Sequence, residues 1–173
     1  MAITKLQSEA LNLADDYTFT GTVSGTSAPA FQAYMSANQT GISDNVFTKV
    51  QFDTELFDTN NMYDHSTNYR FTPTVAGKYY VYALVTAKGT SDDQITAQTS
   101  IYKNGSIHLR SSFFKDSGAA THERFGKYVG GIIEFNGSTD YVEVYGVSRT
   151  NGGPRQFDGT STNSTFGAYK ISN

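Results

Sequence analysis

The chain has 173 residues and a formal net charge of −3, with no cysteine, no tryptophan and three prolines. Twelve tyrosines and twelve phenylalanines stand beside six leucines, and glycine, threonine, serine and asparagine supply 66 residues, so strand and turn formers outweigh helix formers. This composition speaks against a helical bundle and excludes a disulfide scaffold, a thiolate zinc site and a cysteine nucleophile. The 13 basic residues are scattered, leaving no electrostatic footprint for nucleic acid. No run approaches the ~18 apolar residues of a membrane span, so no membrane insertion is expected.

Residues 1–29 read as an N-terminal arm and linker ahead of a domain over 30–173. Within the arm, Tyr17, Phe19, Gly21 and Val23 alternate with Thr18, Thr20, Thr22 and Ser24, the period of a half-buried strand. The small, polar SGTSAP stretch at 24–29 ends in proline and reads as linker. No apolar secretory core is visible near Met1.

Strand patterns then recur at short spacing: 30–35, 46–52, 69–87, 95–103, 106–114, 124–135, 138–147 and 164–171. The 69–87 run is the most apolar, with Tyr79, Val81, Ala83 and Val85 opposing Tyr80, Tyr82, Leu84 and Thr86. Both faces are bulky, so this strand is expected to be covered on both sides. Asn104-Gly105 and Asn136-Gly137 each join two strand runs and predict two hairpins, since both turn residues must take positive φ. The run 148–163 predicts a polar loop. Eight to ten strands and no helix predict an all-β sandwich or jelly roll.

The stretch FDTNNMYDHSTNYRFTPTVAGKYYVYA resembles the hallmark of the complement C1q globular domain, with Asn60, Tyr63, Asp64, Phe71, Thr72, Pro73, Gly77, Tyr79 and Tyr80 at the matching positions. SIYKNGS is similar to that family's Lys-Asn-Gly hairpin, and STFGAYKI resembles its closing strand. KYVGGIIEFNGSTDYVEV resembles a strand of the tumour necrosis factor ligands, which share the fold. The family's usual cysteine after Phe-Thr is replaced by Pro73, and no collagen-like stem precedes the domain. The resemblance implies a ten-stranded jelly roll assembled as a homotrimer. A subunit interface would cover the second face of 69–87, with Tyr80 and Tyr82 in it and Tyr128 near the threefold axis; ordinary core packing is the alternative for Tyr128.

TKLQSEALNLADDYTFTGTVSGT resembles the short leader of bacteriophage virion proteins, tail fibres and related appendages. With no cysteine and no signal peptide, that implies assembly in a bacterial cytoplasm, a virion location, and docking to other virion proteins through residues 1–27.

Chemistry is sparse. His65, His108 and His122 lack metal-ligand spacing, and no nucleophile elbow or phosphate-binding loop occurs. Asp92 with Asp93, or Glu134 with Asp140, are the carboxylate pairs that glycoside hydrolysis would need, but each sits at a loop or turn, so no enzyme is expected and no cofactor is required. Asp58, Asn60, Asn61 and Asp64 offer the oxygen ligands calcium takes, without EF-hand spacing; turn formation is the competing role. In the 148–163 loop, Arg149, Asn151, Arg155, Gln156, Phe157 and Asp158 have the planar polar groups and aromatic ring that glycan recognition uses. The expected function is a non-enzymatic, trimeric virion appendage or tail fibre with host-glycan contact. A capsid decoration protein is the close alternative, and a soluble recognition lectin outside any virion is the alternative of another class.

Overall fold

The computed structural model describes residues 28–89, 91, 93–115 and 122–172, so residues 1–27, on which the expected virion-docking arm falls, and Asp92 lie outside the described residues. Over the rest, period-2 alternation resolves into strands β1 (Ala30–Tyr34), β2 (Thr48–Lys49), β3 (Thr54–Asp58), β4 (Tyr63–Asp64), β5 (Arg70–Phe71) and β6 (Gly77–Lys88). They are followed by β7 (Gln94–Lys103), β8 (Ser106–Phe114), β9 (Arg124–Phe135), β10 (Val142–Thr150), β11 (Gln156–Phe157) and β12 (Thr165–Ser172). Four of the twelve are two-residue pairs, so the expected set of about ten strands gains short segments rather than a new layer. No helix occurs among the described residues.

The chain alternates between two antiparallel sheets. The front sheet runs β9-β6-β12-β1-β3, with β11 pairing β6 beyond the end of β12. The back sheet runs β4-β5-β10-β7-β8, with β2 beside β10. This is a jelly-roll sandwich, as the residue pattern predicts.

Aromatic side chains on the inner faces fill the space between the sheets. Phe31 stacks on Tyr63 at 4.7 Å and Phe71 at 4.6 Å, and meets Phe166 edge-on at 4.9 Å. Tyrosine in a core needs a partner for its hydroxyl. Tyr63 donates to the Phe52 carbonyl at 2.9 Å and Tyr79 to the Val75 carbonyl at 2.8 Å.

Asn104-Gly105 forms the expected β7–β8 hairpin, with φ of 50° and 80°. The second expected hairpin is corrected: β9 pairs with β6 and β10 with β7, so Asn136-Gly137 turns the chain from one sheet to the other. The local cause is the Asn136 side chain, whose Oδ1 accepts the N–H groups of Ser138, Thr139 and Asp140 at 3.0–3.1 Å and closes an Asx-type turn. Two further differences concern extent. The 46–52 run forms a strand only at Thr48–Lys49; the Val50 N–H still donates to the Val144 carbonyl at 2.9 Å, and Val50 and Phe52 are buried in the core. The pattern does not mark β3 and β11: the extra residue Leu56 bulges β3 and breaks its alternation, and β11 is a two-residue insert within a polar loop.

Candidate functional site: a tyrosine-bearing assembly face

Because β6 alternates strictly, burying Tyr79, Val81, Ala83 and Val85 in the core turns Tyr80, Tyr82 and Leu84 to the outside of the front sheet. The register then builds rows across neighbouring strands. One row is Ile132–Tyr80–Tyr169 and a second is Tyr128–Leu84–Thr165. Between them runs Gly130–Tyr82–Gly167–Gln32–Phe57, which crosses all five strands.

The two glycines of that middle row let the rings lie down on the sheet. A Cβ at Gly167 would stand 2.5 Å from the Tyr82 hydroxyl, and one at Gly130 would stand 2.8 Å from the Tyr80 hydroxyl and 2.9 Å from that of Tyr128. Tyr80 and Tyr128 hydroxyls are hydrogen-bonded at 3.0 Å over Gly130. Tyr82 stacks loosely between Tyr80 at 6.3 Å and Tyr128 at 6.5 Å, and Tyr169 tilts onto Tyr80 at 5.7 Å. Burial among the rings, followed by the Tyr80 hydrogen bond, pushes the Tyr128 phenol up to about 12, and burial also raises Tyr82.

In a single chain this face is open: Tyr128 is 52% exposed, Ile132 62% and Tyr169 48%, with Leu56 and Phe57 exposed on β3. The expected interface residues Tyr80, Tyr82 and Tyr128 are therefore brought into one cluster, with Tyr169, not singled out in the sequence, packed on Tyr80 and Ile132 beside it, while Phe57 lies on the same face three strands away. The alternation Gly167–Tyr169–Ile171 in the last strand carried the missing signal. A contiguous apolar face of this kind marks an interaction surface.

The outer face of the back sheet is built differently. Glu143 is buried there and bonded to Lys49 at 2.7 Å and Arg70 at 2.6 Å. Burial alone would raise the Glu143 carboxyl, but the two cations outweigh it and hold it below the usual range. Arg70 lies over the Tyr141 ring at 4.0 Å and Arg110 over Phe47 at 4.9 Å, so charged groups cover the aromatics. The ion pairs and cation–aromatic contacts give this face a charged surface that the tyrosine face lacks at its centre, although Gln98 Oε1 and Ser100 Oγ on β7 are buried there without a hydrogen-bond partner among the described residues.

The loop candidates separate. Arg149 and Asn151 are exposed. Arg155 is tied to Asp44 at 2.8 Å and Gln156 accepts from Asn38 at 3.3 Å. Phe157 and Asp158 do not belong to a recognition surface. The Phe157 ring is fully buried, close enough to Gly146 that a Cβ there would meet it at 2.5 Å, and Asp158 is buried against Arg124 at 3.0 Å and Asn163 at 3.2 Å. Polar neighbours in sequence hid this core position.

The calcium candidates are likewise committed to turns. Asp58 accepts the N–H groups of Asn60 at 3.2 Å and Tyr63 at 2.7 Å. Asp64 accepts from Ser66, Thr67 and Asn68, and these bonds, that of Thr67 first, hold its carboxyl well below the usual range. No cluster of three acidic, His or Cys residues that could hold a metal ion occurs among the described residues. Of the carboxylates weighed for hydrolysis, Asp140 is held by Asn104 at 2.8 Å and Lys103 at 3.1 Å.

No protein-family model and no curated protein matches the chain. Among solved structures, murine APRIL at pH 5.0 superposes with a TM-score of 0.60 at 12% identity, covering 83% of this chain and 99% of that one. Eiger TNF from S. frugiperda gives 0.59 at 13% identity, covering 84% of this chain and 92% of that one. The globular domain of the zebrafish complement 1qA protein gives 0.54 at 18% identity, covering 84% and 99%. At such identities the likeness shows the fold: a jelly-roll sandwich of the C1q and TNF type.

Proposed function

We propose that the chain forms a homotrimer through the tyrosine face of its front sheet and acts as a non-enzymatic binding module. The observation that carries this reading is the Gly130–Tyr82–Gly167–Gln32–Phe57 row with the rings beside it, the charge-free centre of a face left open by a single chain and edged by the Lys78–Glu134 pair. Flat-lying aromatic rings suit the core of a subunit interface, where aromatics are enriched and charges depleted. The C1q and TNF type of fold is compatible with closure about a threefold axis, in which a self-limiting ring of three buries every copy of such a face.

The module serves in a bacteriophage virion as a tail fibre or related appendage, anchored by residues 1–27 and presenting its loop end to host-surface glycan. Support for this finer reading is the resemblance of residues 4–26 to virion leaders, together with a chain free of cysteine and rich in threonine, serine, asparagine and glycine. Arg149 and Asn151 are the exposed candidates for glycan contact.

Assembly is tested with Tyr128→Asp. A carboxylate driven into a dry interface is costly, so this variant is expected to fold but run as a smaller species. Retention of the full-size assembly would overturn the interface. Location is tested by a symmetry-matched map of the virion. Density at a capsid threefold position would replace the tail assignment with capsid decoration, and absence from virions would leave a free recognition lectin.

A further inference from the structure

The sequence contains three Asn-Gly pairs, at 104–105, 136–137 and 151–152, and the structure treats them unequally. An Asn-Gly pair can modify itself, because glycine leaves its own backbone nitrogen free to approach the preceding amide carbon. Whether it does depends on what holds the asparagine side chain.

Asn104 is locked. Its Oδ1 accepts the Tyr141 N–H at 2.9 Å and its Nδ2 donates to Asp140 Oδ1 at 2.8 Å. Asn136 is locked as well, with Oδ1 accepting three backbone N–H groups and Nδ2 donating to Thr139 Oγ1 at 2.8 Å. Gly137 is also pressed against Ala76, whose nitrogen would stand 2.3 Å from an added Cβ. Asp140 fastens both turns, since its other oxygen accepts the Asn136 N–H at 3.0 Å.

Asn151 differs in each respect. It is exposed, and among the described residues its side-chain amide makes no hydrogen bond. Gly152 is exposed with φ of 100° and nothing within 4 Å of an added Cβ. Only the flanks are pinned: the Asn151 N–H donates to the Asp93 carbonyl at 2.9 Å, and Thr150 Oγ1 donates to the Gly153 carbonyl at 2.7 Å.

We propose that Asn151 is a site of spontaneous deamidation in the folded protein, while Asn104 and Asn136 are protected by their turns. The Gly152 nitrogen, losing its proton to solvent base, bonds to Asn151 Cγ. The Cγ–Nδ2 bond breaks and ammonia leaves, closing a succinimide. Water then opens the ring, at Cγ to give aspartate or at the main-chain carbonyl to give isoaspartate. The net change is water in and ammonia out, with no oxidant. It adds one negative charge to a chain of net charge −3, between Arg149 and Arg155, and as isoaspartate it lengthens the backbone there by one carbon.

The test is to age the full-length protein at mildly alkaline pH and measure the tryptic peptide Thr150–Arg155 alongside those holding Asn104 and Asn136, with the denatured chain as reference. The expected result is the mass gain of amide-to-acid exchange at Asn151. Asn104 and Asn136 should convert roughly tenfold or more slowly, the factor expected if about two hydrogen bonds must break before attack. In the denatured chain the three sites should converge. Asp140→Ala should speed conversion at Asn104 in protein that still gives a folded spectrum. An Asn151 that stays intact in the folded protein while converting in the denatured chain would overturn the proposal, as would conversion of Asn104 at the Asn151 rate.

Discussion

The hydroxyl oxygens of Tyr80 and Tyr128 lie 3.0 Å apart above Gly130, joining β6 to β9 on the outside of the front sheet. A hydrogen bond between two half-open phenols contributes little to the stability of one chain. Its consequence is orientation: it holds the two rings together over Gly130, the arrangement on which the proposed subunit interface rests.

Tyr80→Phe and Tyr128→Phe should therefore each cost the single chain no more than about 1 kcal/mol. A double-mutant cycle on assembly, read by dilution, should return a coupling between the two positions. Additive effects would mean that the hydroxyl pair does not organise the interface.

Gly130→Ala tests the floor beneath the pair. The new methyl would sit 2.8 Å from the Tyr80 hydroxyl, so the ring must lift. Weakened assembly with a nearly unchanged unfolding midpoint of the dissociated chain is expected from ultracentrifugation and thermal melts.

Alkaline titration gives a second handle on the same face. The Tyr128 phenol is raised from 10.0 to about 12, so the folded chain holds that proton more tightly than the unfolded chain. The associated stability is fully present below pH 10 and is lost as pH rises through 10 towards 12. Spectrophotometric phenol titration should show a late-ionising group that Tyr128→Phe removes.

Acid acts on the other sheet. Glu143 is held below its ordinary value of 4.5 by Lys49 and Arg70 against the opposing effect of burial. Its contribution is present above pH 4.5 and is lost as pH falls through the lowered value. Glu143→Gln should cost about 1–3 kcal/mol at neutral pH and flatten the acid limb of a denaturation profile.

How far the sequence could be read depended on whether a signal was local. The β7–β8 hairpin was legible because Asn104-Gly105 specifies its turn within two residues. The same dipeptide at Asn136-Gly137 misled, since the strand that β9 pairs with is chosen by the sheet and not by the turn. That Tyr80 and Tyr82 share one face was legible from alternation, and the structure puts Tyr128 on the same face. Their relation to Gly130 and Gly167 was not, because register between distant strands places a ring over a glycine. In sequence Phe157 looks like a loop aromatic among polar neighbours, whereas the fold carries it into the core.

The buried place of the Phe157 ring has a measurable consequence. Phe157→Ala should destabilise the fold by about 3–5 kcal/mol, the range for a buried aromatic, as measured by urea unfolding. A variant of unchanged stability that only lost ligand binding would return Phe157 to a recognition role.

The most direct test of the central claim is the native mass of the full-length protein by light scattering across a dilution series. Assembly through the tyrosine face predicts a species of three 18.9 kDa chains. A single 18.9 kDa species at every concentration would contradict it.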